Sequence, residues 1–174
     1  MSMAIYDKHL DPNDKDCIVT KIVVTASDTV STVEDMPSIF HWQIYLVIEP
    51  GQSQNNSVVI DMQPANPPIG VMIITSNPNA RSTAINKIEL DILTRDGPTV
   101  NQIIDVFLEH RMQFYKFDDT GSGCLYWIFT GLRFLEERGL VEQGAVEKLE
   151  KFHLEQAGIH PERHPMPLRK GVFY

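Results

Sequence analysis

The sequence predicts an α+β fold, a mainly antiparallel sheet of about five strands packed with about three helices. Three observations predict it. Runs of β-branched and alternating residues occupy the chain up to Leu93, segments with helical periodicity come only after Asp96-Gly97-Pro98, and the turns between the strand-like runs are rich in Gly, Pro and Asn.

In order, the first 15 residues are polar and read as irregular. CIVTKIVVT, from Cys17 to Thr25, is rich in β-branched residues and reads as a strand. SDTVSTVEDMPS reads as a loop. FHWQIYLVI, Phe40 to Ile48, alternates: Trp42, Ile44, Leu46 and Ile48 share one face, and His41, Gln43 and Tyr45 share the other. After the turn EPGQSQNN comes SVVIDMQ, Ser57 to Gln63, with Val58, Ile60 and Met62 opposite Val59, Asp61 and Gln63. IGVMIITS and NKIELDIL read as two further strands.

Thr99 with Gln102 forms a T-x-x-Q capping box, and Val100, Ile103, Ile104, Phe107, Leu108 and Met112 follow at helical spacing. Phe114 to Phe117 reads as a short extended piece. A second helix starts near Cys124, carries the stripe Leu125, Ile128, Phe129, Leu132 and Leu135, and ends at Gly139. A third runs from about Glu142 to Gln156. A proline-punctuated tail over about 158–174 reads as extended. The expected organisation is one domain over 1–174, a size sufficient for a single core.

The balance of 15 Lys and Arg against 23 Asp and Glu gives a net charge of -8, which repels phosphate backbones and anionic lipid. Neither nucleic acid nor membrane is therefore an expected partner; a small-molecule substrate or ligand is. No run approaches the roughly 20 apolar residues of a membrane helix. The opening MSMAIYDKHL carries charges where a secretory signal would be apolar. The expected compartment is the cytoplasm, with Cys17 and Cys124 as reduced thiols. No cofactor is expected: the chain has no phosphate loop, no G-x-G-x-x-G and no G-x-S-x-G. No metal is expected either, since the prolines around His160 and His164 in HPERHP prevent a helix that would align them as ligands. His110 and His153 read as solvated helix-surface residues. No residue identifies an oligomer.

Cys124 is the leading candidate for the chemistry. It follows Gly121-Ser122-Gly123 at a helix start, where free N–H groups and the helix dipole favour a thiolate. Gly123 permits close approach of a substrate, and N–H groups there can hold an oxyanion. A histidine beside a thiol can serve as its base, which is the expected role of His41. Asp61, on the matching face of the next strand, is placed to fix the tautomer of His41, with Gln63 a weaker substitute. Gln43 and Tyr45 share the face of His41, Gln63 shares that of Asp61, and Tyr126 and Trp127 follow Cys124, so these five with Gly123 are candidate substrate-binding residues. Each has a plainer reading: Cys124, Tyr126 and Trp127 as core, and His41 and Asp61 as surface groups.

His41-Trp42-Gln43-Ile44-Tyr45, then Asp61, then Tyr115-Lys116-Phe117 leading to Gly123-Cys124-Leu125-Tyr126-Trp127, resemble the lecithin:retinol acyltransferase group of the circularly permuted papain-like, NlpC-type superfamily. The resemblance implies the order His, polar orienter, Cys, and a thiol acyl-transfer chemistry. It departs at Gly123 and Asp61, where those acyltransferases usually carry Asn and His. The HWQIYLVI and VVIDMQP strands and the GSGCLYW helix start also resemble a fungal family of small domains of unknown function. The functional expectation is a cysteine-dependent hydrolase, acyltransferase or cyclase acting on a small soluble acyl, amide or thioester substrate through Cys124 and His41. The competing expectation is a non-catalytic small-molecule-binding or protein-interaction module on the same scaffold.

Overall fold

A computed structural model describes residues 3–28 and 39–174. The expected loop before Phe40 lies largely outside the described residues. Among the described residues the chain forms strands β1 (Ile5–His9), β2 (Val19–Asp28), β3 (Phe40–Ile48), β4 (Ser57–Asn66), β5 (Ile69–Asn77), β6 (Lys87–Leu93), β7 (Tyr115–Lys116) and β8 (Val172–Phe173). The helices are α1 (Val100–Glu109), α2 (Cys124–Glu137) and α3 (Ala145–Ile159). The fold is α+β with three helices, and the sheet has eight strands where about five are expected from the sequence.

The sheet runs β6-β2-β3-β4-β5-β7-β8, with β1 also paired to β5. All pairs are antiparallel except β1 with β5. The N-terminal segment is thus not irregular. Ile5 and Tyr6 pair with Met72 and Ile73, and a 3₁₀ turn at Pro12–Asp14 follows. Asp14 is fully buried and accepts hydrogen bonds from Ser53 Oγ, Asn55 Nδ2 (2.9 Å) and Ser76 Oγ (2.6 Å), which removes the cost of burying its carboxylate unpaired.

One face of the sheet carries the main core. Trp42, Ile44 and Leu46 of β3 and Val58, Ile60 and Met62 of β4 join Ile103 and Phe107 of α1 and Leu125, Ile128 and Leu132 of α2. Each such side chain contributes about 1.5–3 kcal/mol by leaving water. The opposite face holds a smaller cluster of Val23, Tyr45, Val47 and Val59, with Ala80 packed against it. The two-residue period expected for β3 is therefore observed, one set of side chains going to each cluster.

α1 begins with the expected capping box: Gln102 N–H donates to Thr99 Oγ1 (3.1 Å), and Thr99 N–H donates to Gln102 Oε1 (2.9 Å). α3 begins at Ala145 rather than near Glu142, because Glu142 is tied to the end of β6: its N–H donates to Leu93 O at 2.8 Å. His153 of α3, expected to be solvated, is buried beside His164 and Trp42. The tail is more than an extended strand. Arg163 pairs with Asp28, His164 packs on Phe40 and Trp42, and β8 closes the sheet against β7.

Candidate active site

The sheet forks where β3 meets β4. The two strands pair from Val47↔Ser57 to Ile44↔Ile60 and no further. Beyond that point β3 stays with β2, through Gln43, Trp42, His41 and Phe40, while β4 stays with β5, through Asp61, Met62 and Gln63. The polar side chains of the two arms close the gap. His41 Nε2 lies 2.6 Å from Asp61 Oδ1, and Gln43 Nε2 and Gln63 Nε2 donate to Asp61 Oδ2 at 2.8 and 2.5 Å. Asp61 is 4% exposed, so this buried carboxylate has the donors it needs.

The fork also admits Cys124. By alternation His41 belongs to the face of Tyr45, whereas α2 packs on the face of Trp42 and Ile44. An unbroken ladder would separate the thiol from the imidazole by the thickness of the sheet. Here the Trp42 N–H, with no β4 partner at that point, donates to Cys124 Sγ at 3.5 Å. Burial opposes a charge on His41, but the hydrogen bonds it donates to Asp61 and Cys124 and the charges of both outweigh it and push the His41 pKa up to about 10. At neutral pH the ring holds both protons. With Nε2 on Asp61, Nδ1 is the nitrogen left for the sulfur.

Cys124 is the first residue of α2, and Gly123 precedes it at φ 134°, a backbone conformation open to glycine. Gly123 contributes no capping side chain, so the first-turn N–H groups of α2 keep their donors for a ligand. Tyr115 Oη donates to Gly123 O at 2.8 Å and fixes that carbonyl.

The chain belongs to the DUF7770 family. The family is described as a domain of unknown function, and it matches residues 21–174, from β2 to the C-terminal tyrosine. No curated protein and no solved structure matches the chain. The matched span of the DUF7770 domain holds every residue of the fork and the whole of α2.

Of the residues singled out in the sequence, His41, Gln43, Asp61, Gln63, Gly123 and Cys124 come together in the DUF7770 domain. Gln43 and Gln63 face Asp61 rather than open space. Tyr45 is buried in the smaller cluster two residues along β3. Tyr126 is half-buried under Lys170, whose Nζ lies 5.2 Å from its ring centroid, and it faces Phe173. Trp127 is in the core, its Nε1 donating to Met112 O at 2.8 Å and its ring edge-on to Phe107. Tyr115 and the Trp42 N–H were not foreseen. Tyr115 stands in the motif Tyr115-Lys116-Phe117 ahead of the glycine loop, which gives no sign of what its hydroxyl does, and a backbone donor gives no signal at all. No group of three or more metal-ligating side chains occurs among the described residues, and no helix there is long and apolar enough to cross a membrane.

Proposed function

We propose that this DUF7770 domain is a cysteine-dependent acyl-transfer or hydrolytic enzyme with a permuted papain-like arrangement. Its substrate class is a small compound bearing an acyl, amide or thioester carbonyl. The observation that carries the reading is His41 held at 2.6 Å by Asp61, with the Cys124 sulfur 3.5 Å from the N–H of Trp42, the next residue of the strand. A thiol of purely structural use needs no imidazole, and the imidazole would not need a carboxylate with two glutamine donors behind it.

In this reading the Cys124 proton resides on His41. The sulfur attacks the carbonyl carbon, the C–S bond forms, and the carbonyl electron pair moves to oxygen, where first-turn N–H groups of α2 hold it. As the tetrahedral adduct collapses, the bond to the leaving group breaks and His41 passes it a proton. A thioester of Cys124 and a neutral His41 remain. Water, or an acceptor alcohol, amine or thiol, then loses its proton to His41 and attacks the thioester, and Cys124 is released. Asp61 changes no bond; it orients the ring and balances its charge. A cyclase would differ only in drawing the acceptor from the same substrate.

The experiment is alkylation of Cys124 by iodoacetamide against pH, with Cys17→Ser so that one thiol reports, beside turnover of a panel of small ester, amide and thioester substrates. His41→Ala should move the alkylation profile upward in pH, and Cys124→Ala should abolish turnover. A Cys124 that reacts only in denaturant and ignores His41→Ala would overturn the reading.

A further inference from the structure

We infer that the C-terminal segment, residues 160–174, is a working part of the site: its docking on Tyr115 sets the start of α2 and so presents Cys124. This rests on the catalytic reading of Cys124 for its meaning, but on separate contacts for its geometry.

Three segments meet at one hydroxyl. Tyr115 Oη donates to Gly123 O at 2.8 Å and accepts from Gly171 N–H at 2.8 Å. There is no spare room at the joint. A Cβ on Gly123 would lie 2.7 Å from Tyr115 Oη and 3.0 Å from Gly171 N. A Cβ on Gly171 would lie 2.2 Å from Lys116 O and 2.5 Å from Tyr115 Cζ. Two glycines distant in sequence thus close on a fully buried tyrosine, and the residue after the first of them is Cys124. Such a joint transmits position: if Gly171 lifts away, Tyr115 loses a donor and Gly123 loses the wall that holds its unusual backbone.

The rest of the segment reaches the other half of the site. Arg163 pairs with Asp28 and lies 4.7 Å over the Phe40 ring, and His164 sits 5.4 Å from Phe40 and 6.0 Å from Trp42, ring centre to ring centre. Phe40 and Trp42 flank His41. Arg169 Nη1 donates to Thr120 Oγ1 at 2.9 Å and to Ser122 Oγ at 3.4 Å, in the loop before Gly123. One strap therefore holds the neighbours of the imidazole and the neighbours of the thiol. Tyr115 touches neither reacting group, and its role is that of a positioning residue.

The test uses the full chain with Cys17→Ser. Gly171→Ala drives the strap off Tyr115 while leaving the Tyr115–Gly123 bond possible; Tyr115→Phe keeps the ring and removes both bonds. Each should slow alkylation of Cys124 by about tenfold at neutral pH and raise hydrogen exchange at the amides of 123–126. Ile104→Val, a core change in α1, should lower the melting temperature without either effect. Should Gly171→Ala not fold, Tyr115→Phe carries the test, since it deletes one oxygen and leaves the packing. Unchanged alkylation and exchange in the joint variants would overturn the inference. If those variants are silent while His41→Ala still shifts the profile, the strap falls and the catalytic reading stands. If the joint variants respond and His41→Ala does not, the strap stands and the catalytic reading falls.

Discussion

Asp61 Oδ1 lies 2.6 Å from His41 Nε2, across the gap that opens where β3 and β4 stop pairing. The opening lets one carboxylate govern the ring from one arm of the fork while the sulfur reaches it from the helical side. With Gln43 and Gln63 on its other oxygen, Asp61 has little freedom to turn.

Replacing Asp61 with Asn keeps the shape and removes the charge. The tautomer of His41 is then unspecified and its second proton is lost at lower pH. Turnover should fall by roughly a hundredfold or more, and the alkylation profile of Cys124 should move in the same direction as for His41→Ala. Parallel measurement in the two variants checks this, and an Asp61→Asn protein with the original profile would remove Asp61 from the reaction.

The raised pKa of His41 also has a stability consequence. Its folded value, about 10, exceeds the ordinary 6.5, so the folded state binds the proton more tightly. That contribution is complete below pH 6.5 and is lost as pH rises towards about 10. Melting temperatures taken across this window should decline less in His41→Ala than in the parent chain.

His164 titrates with the opposite sign. Burial comes first in pushing its pKa down from 6.5 to about 4, with His153, His160 and Arg163 adding to the fall and Glu162 opposing it. The unfolded chain takes up this proton first, so stability is complete above pH 6.5 and declines as pH falls towards about 4. His153 is lowered too, by its burial. The ring nitrogens of both histidines lack hydrogen-bond partners. His164→Phe, which keeps the packing on Phe40 and Trp42, should reduce the acid sensitivity of the melting temperature. An unaltered acid limb would contradict this.

Thr99→Ala removes one half of the capping box at the start of α1. The expected loss is about 1 kcal/mol, read by denaturant unfolding, with Cys124 reactivity unchanged because the cap shares no hydrogen bond with Asp61, His41 or Cys124. Reactivity that falls in step with stability would show the site to be coupled to α1.

Much of this was legible in the chain. β3 announces both of its faces through Trp42, Ile44 and Leu46 against His41, Gln43 and Tyr45, because strand periodicity needs no tertiary information. The Thr99–Gln102 cap and the glycine break before Cys124 are equally local. β1 was not legible: Ile5–His9 is mostly polar, and its pairing with β5 spans more than 60 residues of sequence. His153 looked solvated because its burial comes from Trp42 and from His164 in the tail. The fork was hidden for a deeper reason. It depends on the ends of β3 and β4 parting while each keeps its outer neighbour, β2 or β5, a relation among four strands that no single segment records.

Because thiol and imidazole hang on different layers, the interior acts as a spacer that sets the distance between them. Trp42, Leu125 and Ile128 are the shims: they fix how deeply α2 beds on β3, and with it how far the sulfur protrudes between the strands. The setting of sulfur against imidazole is therefore gauged by apolar volume as much as by polar contact. A methylene gained or lost at Leu125 or Ile128, where α2 meets β3, would be felt at the sulfur and the imidazole as a change of alignment.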